Sequence, residues 1–321
     1  MQRRTFLKSI GLTAVLPGLV VSQSAWAKAD LYPASLLYRQ PVKVADGVYA
    51  AIGATQGPTY ENAGHNNNMV FVIGERGVLV FNAGASYLVA KALHDEIKKH
   101  TQKPILYMVA ENGDLHATTG NHYWKQQGAT LIAHKDAIKV FEANKNAYLD
   151  STRRVTKEKA DGTHMVSFDQ SFETALDLDL GGITAQLRWL GAAHVPGDIS
   201  IILPERNVVL AGDIAFHERL LNVLPETNTL GWVETWQIFA ELAQDKIIVP
   251  GHGGVTNFTQ INRYTFEYLD FMHTQVRKLI EDGGSLAEAS QIDQSQFSHL
   301  DTFGELAAIN ASRIFAALEF E

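Results

Sequence analysis

Three short segments in the second half of the chain place a histidine or an aspartate beside glycine, directly after an apolar run. These segments contain His194, Asp213 and His252. If the preceding strands end at one edge of the fold, the three side chains converge. Two imidazoles and a carboxylate form a ligand set that suits Zn²⁺ or a non-haem iron.

The chain contains no cysteine, so a metal site must be built from histidine and carboxylate ligands. A divalent ion held in this way lowers the pKa of a bound water toward ~7, supplies hydroxide at neutral pH, and polarises a carbonyl or ester under attack. We therefore expect zinc as one or two divalent ions, with iron or manganese as alternatives, and a small-molecule substrate.

The elements that position these residues are predicted from alternating apolar strands and amphipathic helices. Strands are expected at residues 42–52, 69–73, 78–81, 105–109, 130–133, 184–190, 199–203, 208–210 and 247–249. Helices are expected at residues 86–99, 118–127, 134–146, 234–243, 258–280 and 302–318. This order is typical of α/β folds, in which helices cover sheets and functional groups gather in loops beyond the strand ends.

The composition is that of one globular domain. Hydrophobic residues make up 46% of the chain and charged residues 19%, and neither a repeat nor a linker divides residues 28–321. The net charge of −8 disfavours nucleic acid as a partner. Nothing in the sequence indicates the oligomeric state.

The three segments, following a hairpin that ends in Asn82-Ala83-Gly84, resemble the metallo-β-lactamase superfamily. This resemblance implies an αββα sandwich, two mixed β-sheets between helices, with one or two metals at one edge. It places His194 at the third ligand of the first metal, Asp213 at a bridging carboxylate, and His252 at a ligand of the second metal.

The first half departs from the superfamily's motif His-x-His-x-Asp-His, which is commonly followed by x-x-Gly-Asn. Aligned on Gly120-Asn121, the four ligand positions fall on Asn112, Asp114, His116 and Ala117. Carboxylate and imidazole both ligate zinc at roughly 2.0–2.2 Å, so the exchange is compatible with binding. The implied sets are Asp114, His194 and Asp213 for one ion and His116, Asp213 and His252 for the other. A single ion and two ions remain alternatives.

Further roles are predicted for residues near these segments. Asp114 is also the candidate catalytic residue, and either it or an unligated carboxylate nearby would pass a proton to the leaving group. His65, His122 and His134 are candidates for contacts to the substrate or to ligands. Asp198 is expected to fix its loop through bonds to backbone N–H groups.

The N-terminus resembles an export signal. Arg3 and Arg4 precede an apolar stretch at residues 10–21, and Ala25-Trp26-Ala27 forms a small-x-small cleavage site. The run Arg-Arg-x-Phe-Leu-Lys is similar to twin-arginine signals. We therefore expect residues 1–27 to be a twin-arginine-type signal peptide, and the mature protein to be periplasmic without a stable membrane span.

Three functions are compatible with this site. The leading hypothesis is hydrolysis of a small ester, thioester, amide or sulfur-containing molecule in the periplasm. The second is iron-dependent oxidation of the persulfide dioxygenase type, and the third is a degenerate member that binds without turnover. Hydrolysis of β-lactams is disfavoured, because Asn112 and Asp114 replace the histidines that the resemblance places at the first metal.

Overall fold

The computed structural model describes residues 35–319, and the predicted signal peptide at residues 1–27 lies outside them. Two β-sheets form the centre of the fold. The strands of the first sheet, in spatial order, are β1 (Val42–Ala45), β2 (Val48–Ala51), β3 (Met69–Ile73), β4 (Val78–Phe81), β5 (Ile105–Val109), β6 (Thr130–His134) and β7 (Gln170–Phe172). Strands β1 to β4 pair antiparallel and β4 to β7 pair parallel.

The second sheet contains the strands that lead to the three segments of interest. Its strands are β8 (Ala175–Asp179), β9 (Thr184–Arg188), β10 (Ser200–Leu203), β11 (Val208–Phe216) and β12 (Ile247–His252). The spatial order is β12-β11-β10-β9-β8. Only the pair of β11 and β12 is parallel, so both sheets are mixed.

Helices cover the outer face of each sheet. They are α1 (Tyr87–His100), α2 (Leu115–Thr118), α3 (Asn121–Gln126), α4 (Lys135–Thr156), α5 (Thr229–Ala243), α6 (Phe258–Ile261), α7 (Glu267–Glu281), α8 (Leu286–Ala289) and α9 (Phe303–Leu318). A π-helical turn at Asn262–Phe266 joins α6 to α7. Within residues 35–319, none of the helices combines the length and the apolar character needed to cross a bilayer.

Side chains alternate between two apolar layers along the strands. In β3, Val70 and Val72 pack between the sheets, whereas Met69 and Phe71 pack under α1 and α3. Side chains of the second sheet alternate in the same way, and those on its outer face pack under α5, α7 and α9. A strand buried on both faces is apolar at nearly every position, as β3 and β4 are here. The predicted αββα sandwich is confirmed.

The predicted strand at residues 42–52 is wrong as a single element. It is the hairpin of β1 and β2, which turns at Asp46-Gly47. Gly47 has φ +72°, and a Cβ there would lie 2.8 Å from the carbonyl oxygen of Ile73. An Asp-Gly pair between apolar runs is a signal for such a turn.

Two strands extend further than predicted, and as a result two site residues belong to strands. Strand β11 continues to Phe216 and β12 to His252, so Asp213 and His252 belong to strands and not to loops after them. The pairing of β11 with β12 shifts register on either side of Gly212, where φ is +61°. Glycine at such a bulge re-aims the following side chain, which here is Asp213.

The helices near the site also differ from the prediction. The predicted helix at residues 118–127 is interrupted at Thr119-Gly120, between α2 and α3. The backbone there passes so close to Ala83 that a Cβ at Gly120 would lie 2.2 Å from the carbonyl oxygen of Ala83. Helix α4 continues to Thr156, ten residues beyond the predicted end at 146. Its second half packs on α2 and beside the loop that precedes β3, and it has few apolar residues to signal a helix.

Candidate metal centre

Asp213 lies at the centre of a buried cluster of histidines. Its Oδ2 atom is 3.4 Å from Nε2 of His116 and 3.5 Å from Nδ1 of His194. Its Oδ1 atom is 3.4 Å from Nε2 of His252. The four segments that the sequence predicted to converge therefore meet around one carboxylate.

Three of these residues form the group best placed to hold one ion. The ligand atoms of His116, Asp213 and His252 all lie within 4.8 Å of one another, and all three side chains are buried. His194 lies next to this group, with its Nδ1 atom 3.5 Å from Oδ2 of Asp213. The assignment of each residue as a ligand stays a prediction, but the spacing is that of donors around a common cation.

Contacts from neighbouring segments orient His252. Its Nδ1 atom donates to the carbonyl oxygen of Asn66 at 2.6 Å, which leaves the lone pair of Nε2 facing Asp213. Asn68 holds the end of β12 through hydrogen bonds from Nδ2 to the carbonyl oxygens of Pro250 and Gly253, at 2.8 and 2.7 Å. Such a partner on the far nitrogen fixes the tautomer and the ring orientation of a metal-binding histidine.

Aromatic rings exclude water from one side of the cluster. The ring of Phe216 stacks on His252 with centroids 5.1 Å apart, and Trp232 meets His194 edge to face at 5.8 Å. Trp232 is fully buried and donates to the carbonyl oxygen of Ile214 at 3.0 Å. It is therefore a core residue that packs against a candidate ligand.

Two further buried carboxylates stand beside Asp213. Glu111 is fully buried, with Oε1 3.1 Å from Nε2 of His116. Asp198 accepts from the backbone N–H of Val195 at 2.6 Å, which is the predicted loop-fixing role, and from Nδ2 of Asn112 at 3.1 Å. Glu111 had no assigned role from the sequence. The available signal was an acidic residue directly after the apolar run of β5.

Burial and mutual repulsion set the electrostatics of this cluster. Burial, followed by the charge of Asp213, raises the pKa of Glu111 to about 7 and raises the pKa of Asp198 well above its ordinary value. Burial opposes ionisation of Asp213 too, but the neighbouring histidines outweigh it and lower its pKa. The raised pKa values favour the protonated forms of Glu111 and Asp198, and positive charge bound at the centre would favour ionisation of both.

Asp114 lies apart from the group of three. It occupies the N-cap position of α2, is half-buried, and accepts a hydrogen bond from the hydroxyl of Tyr148 at 3.2 Å. The carboxylate of Asp114 contacts Tyr148, whereas Nε2 of His116 lies near Glu111 and Asp213. The structure thus brings together His116, His194, Asp213 and His252 and does not place Asp114 with them.

The three additional histidines have distinct surroundings. His134 caps α4 by accepting from the N–H of Asp136 at 3.2 Å, and His122 contacts the carbonyl oxygen of Gly162 at 3.1 Å. His65 is fully buried, accepts from the N–H of Tyr38 at 2.9 Å, and precedes Asn66, which orients His252. These contacts explain His122 and His134 as structural residues.

The side chains at the centre fit a divalent cation. Within the described residues, Oδ1 of Asp213, Oε2 of Glu111 and Nδ1 of His194 are buried without any hydrogen-bond partner. Unsatisfied buried acceptors are rare in folded proteins, and an ion is one explanation for them. Oxygen and imidazole nitrogen are the donors that zinc, manganese and non-haem iron accept.

An apolar cavity of about 150 Å³ is bordered by α2, the short helix that carries His116, although none of the candidate ligands lines it. Its walls come from the loop before β3, the connection between β4 and α1, α2 and the second half of α4, and include Pro58, Ala85, Leu115, Thr152, Val155 and Thr156. Leu115 precedes His116 in the chain, and the loop that contributes Pro58 continues to Asn66. Two of the segments that line the cavity also take part in the centre, since α2 contains His116 and the loop before β3 contains Asn66, the hydrogen-bond partner of His252.

No sequence model of a protein family matches this chain. Over 215 residues, it is 21% identical to the metallo-β-lactamase IND-1 of Chryseobacterium indologenes, a match that covers 66% of this chain and 80% of that protein.

Solved structures resemble the chain over a larger part of its length. A metallo-β-lactamase from Pontibacter korlensis superposes with a TM-score of 0.59 at 15% identity, covering 72% of this chain and 98% of that one. The inverting sec-alkylsulfatase Pisa1 from Pseudomonas sp. superposes with a TM-score of 0.68 at 15% identity, covering 88% of this chain but 50% of the alkylsulfatase. At these identities, the likeness establishes the fold.

Proposed function

Because this chain has the metallo-β-lactamase fold, we propose that it is a metal-dependent hydrolase of a small ester, thioester, amide or sulfur-containing substrate. The observation that carries this proposal is the buried group of His116, Asp213 and His252, whose ligand atoms lie within 4.8 Å of one another. These residues would hold the ion, with His194 as a further nitrogen donor. Zinc suits this donor set, and iron and manganese are the alternatives.

The chemistry divides between the ion and the chain. A divalent ion at this position lowers the pKa of water toward ~7 and polarises the bond under attack. The chain fixes the donors, since Asn66 orients His252, and Phe216 excludes water from one face. Asp114 is half-buried at the start of α2, held by Tyr148, where it is our candidate for passing a proton to the leaving group.

We also propose that the cavity bordered by α2 takes part of the substrate. Its volume of about 150 Å³ is close to that of apolar cavities that hold a ring of six carbons. A substrate that places its reacting bond at the ion and a small apolar group between Leu115 and Val155 would use both features. We therefore favour acyl or alkyl groups of about six carbons or fewer.

We also propose that the protein works in the periplasm. This rests on the twin-arginine-type sequence and cleavage site within residues 1–27, a route that carries folded proteins with their cofactors. Fusing residues 1–27 to a reporter that is active only after twin-arginine export tests the proposal. Replacing Arg3 and Arg4 by lysine should abolish the signal, and an unaffected reporter would contradict this route.

The test of hydrolysis begins with metal content. Protein purified from its natural compartment should contain a divalent ion and should hydrolyse members of a panel of ester, thioester and amide substrates. Chelation should remove the activity, and the ion should restore it. Nitrocefin, a β-lactam, should not be turned over, because Asn112 stands where the resemblance places a histidine. Metal-free protein of full stability and without turnover would favour a non-catalytic role.

The same three residues support a second candidate function. Two histidines and one carboxylate with open positions are the set used by non-haem iron oxygenases. Tightly held iron, together with oxygen uptake in the presence of a persulfide, would support oxidation. Zinc with hydrolysis would support the first proposal.

A further inference from the structure

We propose that Glu111 is a further ligand of the metal centre and replaces an imidazole that the resemblance expects and this chain lacks. This inference rests on the proposed metal-dependent function, and it adds a residue outside the usual motif. Asn112 and Ala117 occupy two of the four motif positions, and their side chains supply no imidazole. Glu111 supplies a charged oxygen from the residue before Asn112.

The distances suit two ligands of a single ion. Oε1 of Glu111 is 3.1 Å from Nε2 of His116, and that same nitrogen is 3.4 Å from Oδ2 of Asp213. Ligands bound at ~2.0–2.1 Å in tetrahedral geometry lie about 3.3 Å apart. His116 thus stands between two carboxylates at the spacing that a shared cation produces.

The fold makes a slot for this carboxylate. A Cβ at Gly212 would lie 2.8 Å from Oε2 of Glu111 and 3.1 Å from its Cβ, so only glycine leaves room there. The backbone of Glu111 is held at both groups, since its N–H donates to Asn82 at 3.0 Å and its carbonyl accepts from Ile199 at 2.9 Å. These backbone hydrogen bonds and the space at Gly212 therefore direct the side chain of Glu111 into the metal centre.

The second carboxylate oxygen of Glu111 indicates that this residue is a metal ligand and does not only orient His116. Oε2 of Glu111 is buried and has no hydrogen-bond partner among the described residues. A carboxylate that only orients His116 needs one oxygen, and a neutral amide would serve it equally well without the free energy required to bury a charge. The second oxygen and the charge have a use if Glu111 binds a cation.

The test is Glu111→Gln, which keeps the size of the side chain and an oxygen that can face His116. Metal-free wild-type and variant protein are loaded with Co²⁺, whose visible spectrum reports the number and type of ligands, and zinc affinity is measured by competition with a chelator. We expect an altered cobalt spectrum and zinc binding at least about 100-fold weaker, beyond the range typical of residues that only orient ligands. The metal-free variant should unfold at no lower temperature, because burial and the charge of Asp213 oppose ionisation of Glu111 and the amide keeps an oxygen that can face His116.

Glu96→Gln is the matched control. Glu96 is also a buried glutamate, but it pairs with Lys99 on α1, so its removal should leave the cobalt spectrum unchanged. A Glu111→Gln spectrum identical to that of the wild type would overturn the inference. A wild-type protein that binds neither Co²⁺ nor Zn²⁺ would instead overturn the proposed function.

Discussion

The side-chain amide of Asn112 donates to Oδ1 of Asp198 at 3.1 Å and lies 3.4 Å from Oδ2 of Asp213. An N–H group between two carboxylates occupies a place where a cation would otherwise be attracted. A bound ion would repel the partial positive charge of this amide. The contact therefore favours a single ion on the side of His116 and His252, out of the two alternatives that the sequence left open.

Metal stoichiometry checks this point. We expect one ion per wild-type chain by elemental analysis. Asn112→Asp keeps the shape of the side chain, replaces the donor by a carboxylate, and should raise the content toward two ions. Without metal, the variant should lose about 1–3 kcal/mol of stability, because it buries another charge among carboxylates. Two ions in the wild type would contradict the expectation.

Separate substitutions of the central carboxylate, Asp213, and of the peripheral one, Asp114, distinguish metal binding from proton transfer. Asp213→Asn removes the charge that three histidines face, so we expect loss of bound metal and of activity. Asp114→Asn should retain the metal, since the carboxylate of Asp114 contacts Tyr148. Its kcat should fall by about 10²–10⁴-fold if Asp114 donates a proton.

The measurements are metal content and kcat on one substrate. Loss of metal in Asp114→Asn would return Asp114 to the ligand set predicted from the sequence. Unchanged kcat with full metal content would remove Asp114 from the mechanism.

The convergence of the histidines was predictable because their signals are local. An apolar run followed by glycine and a histidine or aspartate marks the end of a buried strand, and His194, Asp213 and His252 each have that pattern. What the sequence did not indicate was that Asp213 and His252 lie inside β11 and β12. A register shift at Gly212 depends on the neighbouring strand, which no local pattern records.

Glu111 and the true surroundings of Asp114 depend on packing between distant segments. The slot for Glu111 exists because Gly212, 101 residues later in the chain, has no side chain. The partner of Asp114 is Tyr148 in the second half of α4, a part of the helix that the sequence pattern missed. Alignment to a motif assigns a ligand to each motif position. It does not show that Glu111, outside those positions, enters the centre or that Asp114, at one of them, lies apart from it.

A pH dependence of stability is expected from His65. Burial lowers the pKa of His65 from 6.5 to about 4. Between these values, the unfolded chain binds a proton that the folded protein excludes, so stability is complete above pH 6.5 and is lost as the pH falls toward 4. The contribution is about 3 kcal/mol at neutral pH.

Urea denaturation of metal-free protein at several pH values measures this effect. His65→Gln should show a shallower decline in unfolding free energy between pH 6.5 and 4 than the wild type. Equal slopes in the two proteins would contradict the assignment to His65. Metal-free protein is used so that release of a bound ion at low pH does not contribute, and the comparison of the two proteins cancels the proton uptake of the ligand side chains, which both contain.

The proposed role of the cavity bordered by α2 predicts a dependence on the chain length of the substrate. Each methylene buried there contributes about 0.8 kcal/mol, or about fourfold in kcat/KM. A series of esters should therefore improve stepwise up to about six carbons and then level off. Val155→Trp fills the cavity, so its kcat/KM should be nearly independent of chain length, while its metal content stays that of the wild type.

Ile238→Trp provides the matched control, because Ile238 lies on α5 and is 48% exposed. This variant should keep the wild-type dependence on chain length. Methyl esters, which do not reach the cavity, should be hydrolysed equally by all three proteins. If Val155→Trp retained the full dependence, the acyl group would bind elsewhere, and the space between Leu115 and Val155 would have no part in substrate selection.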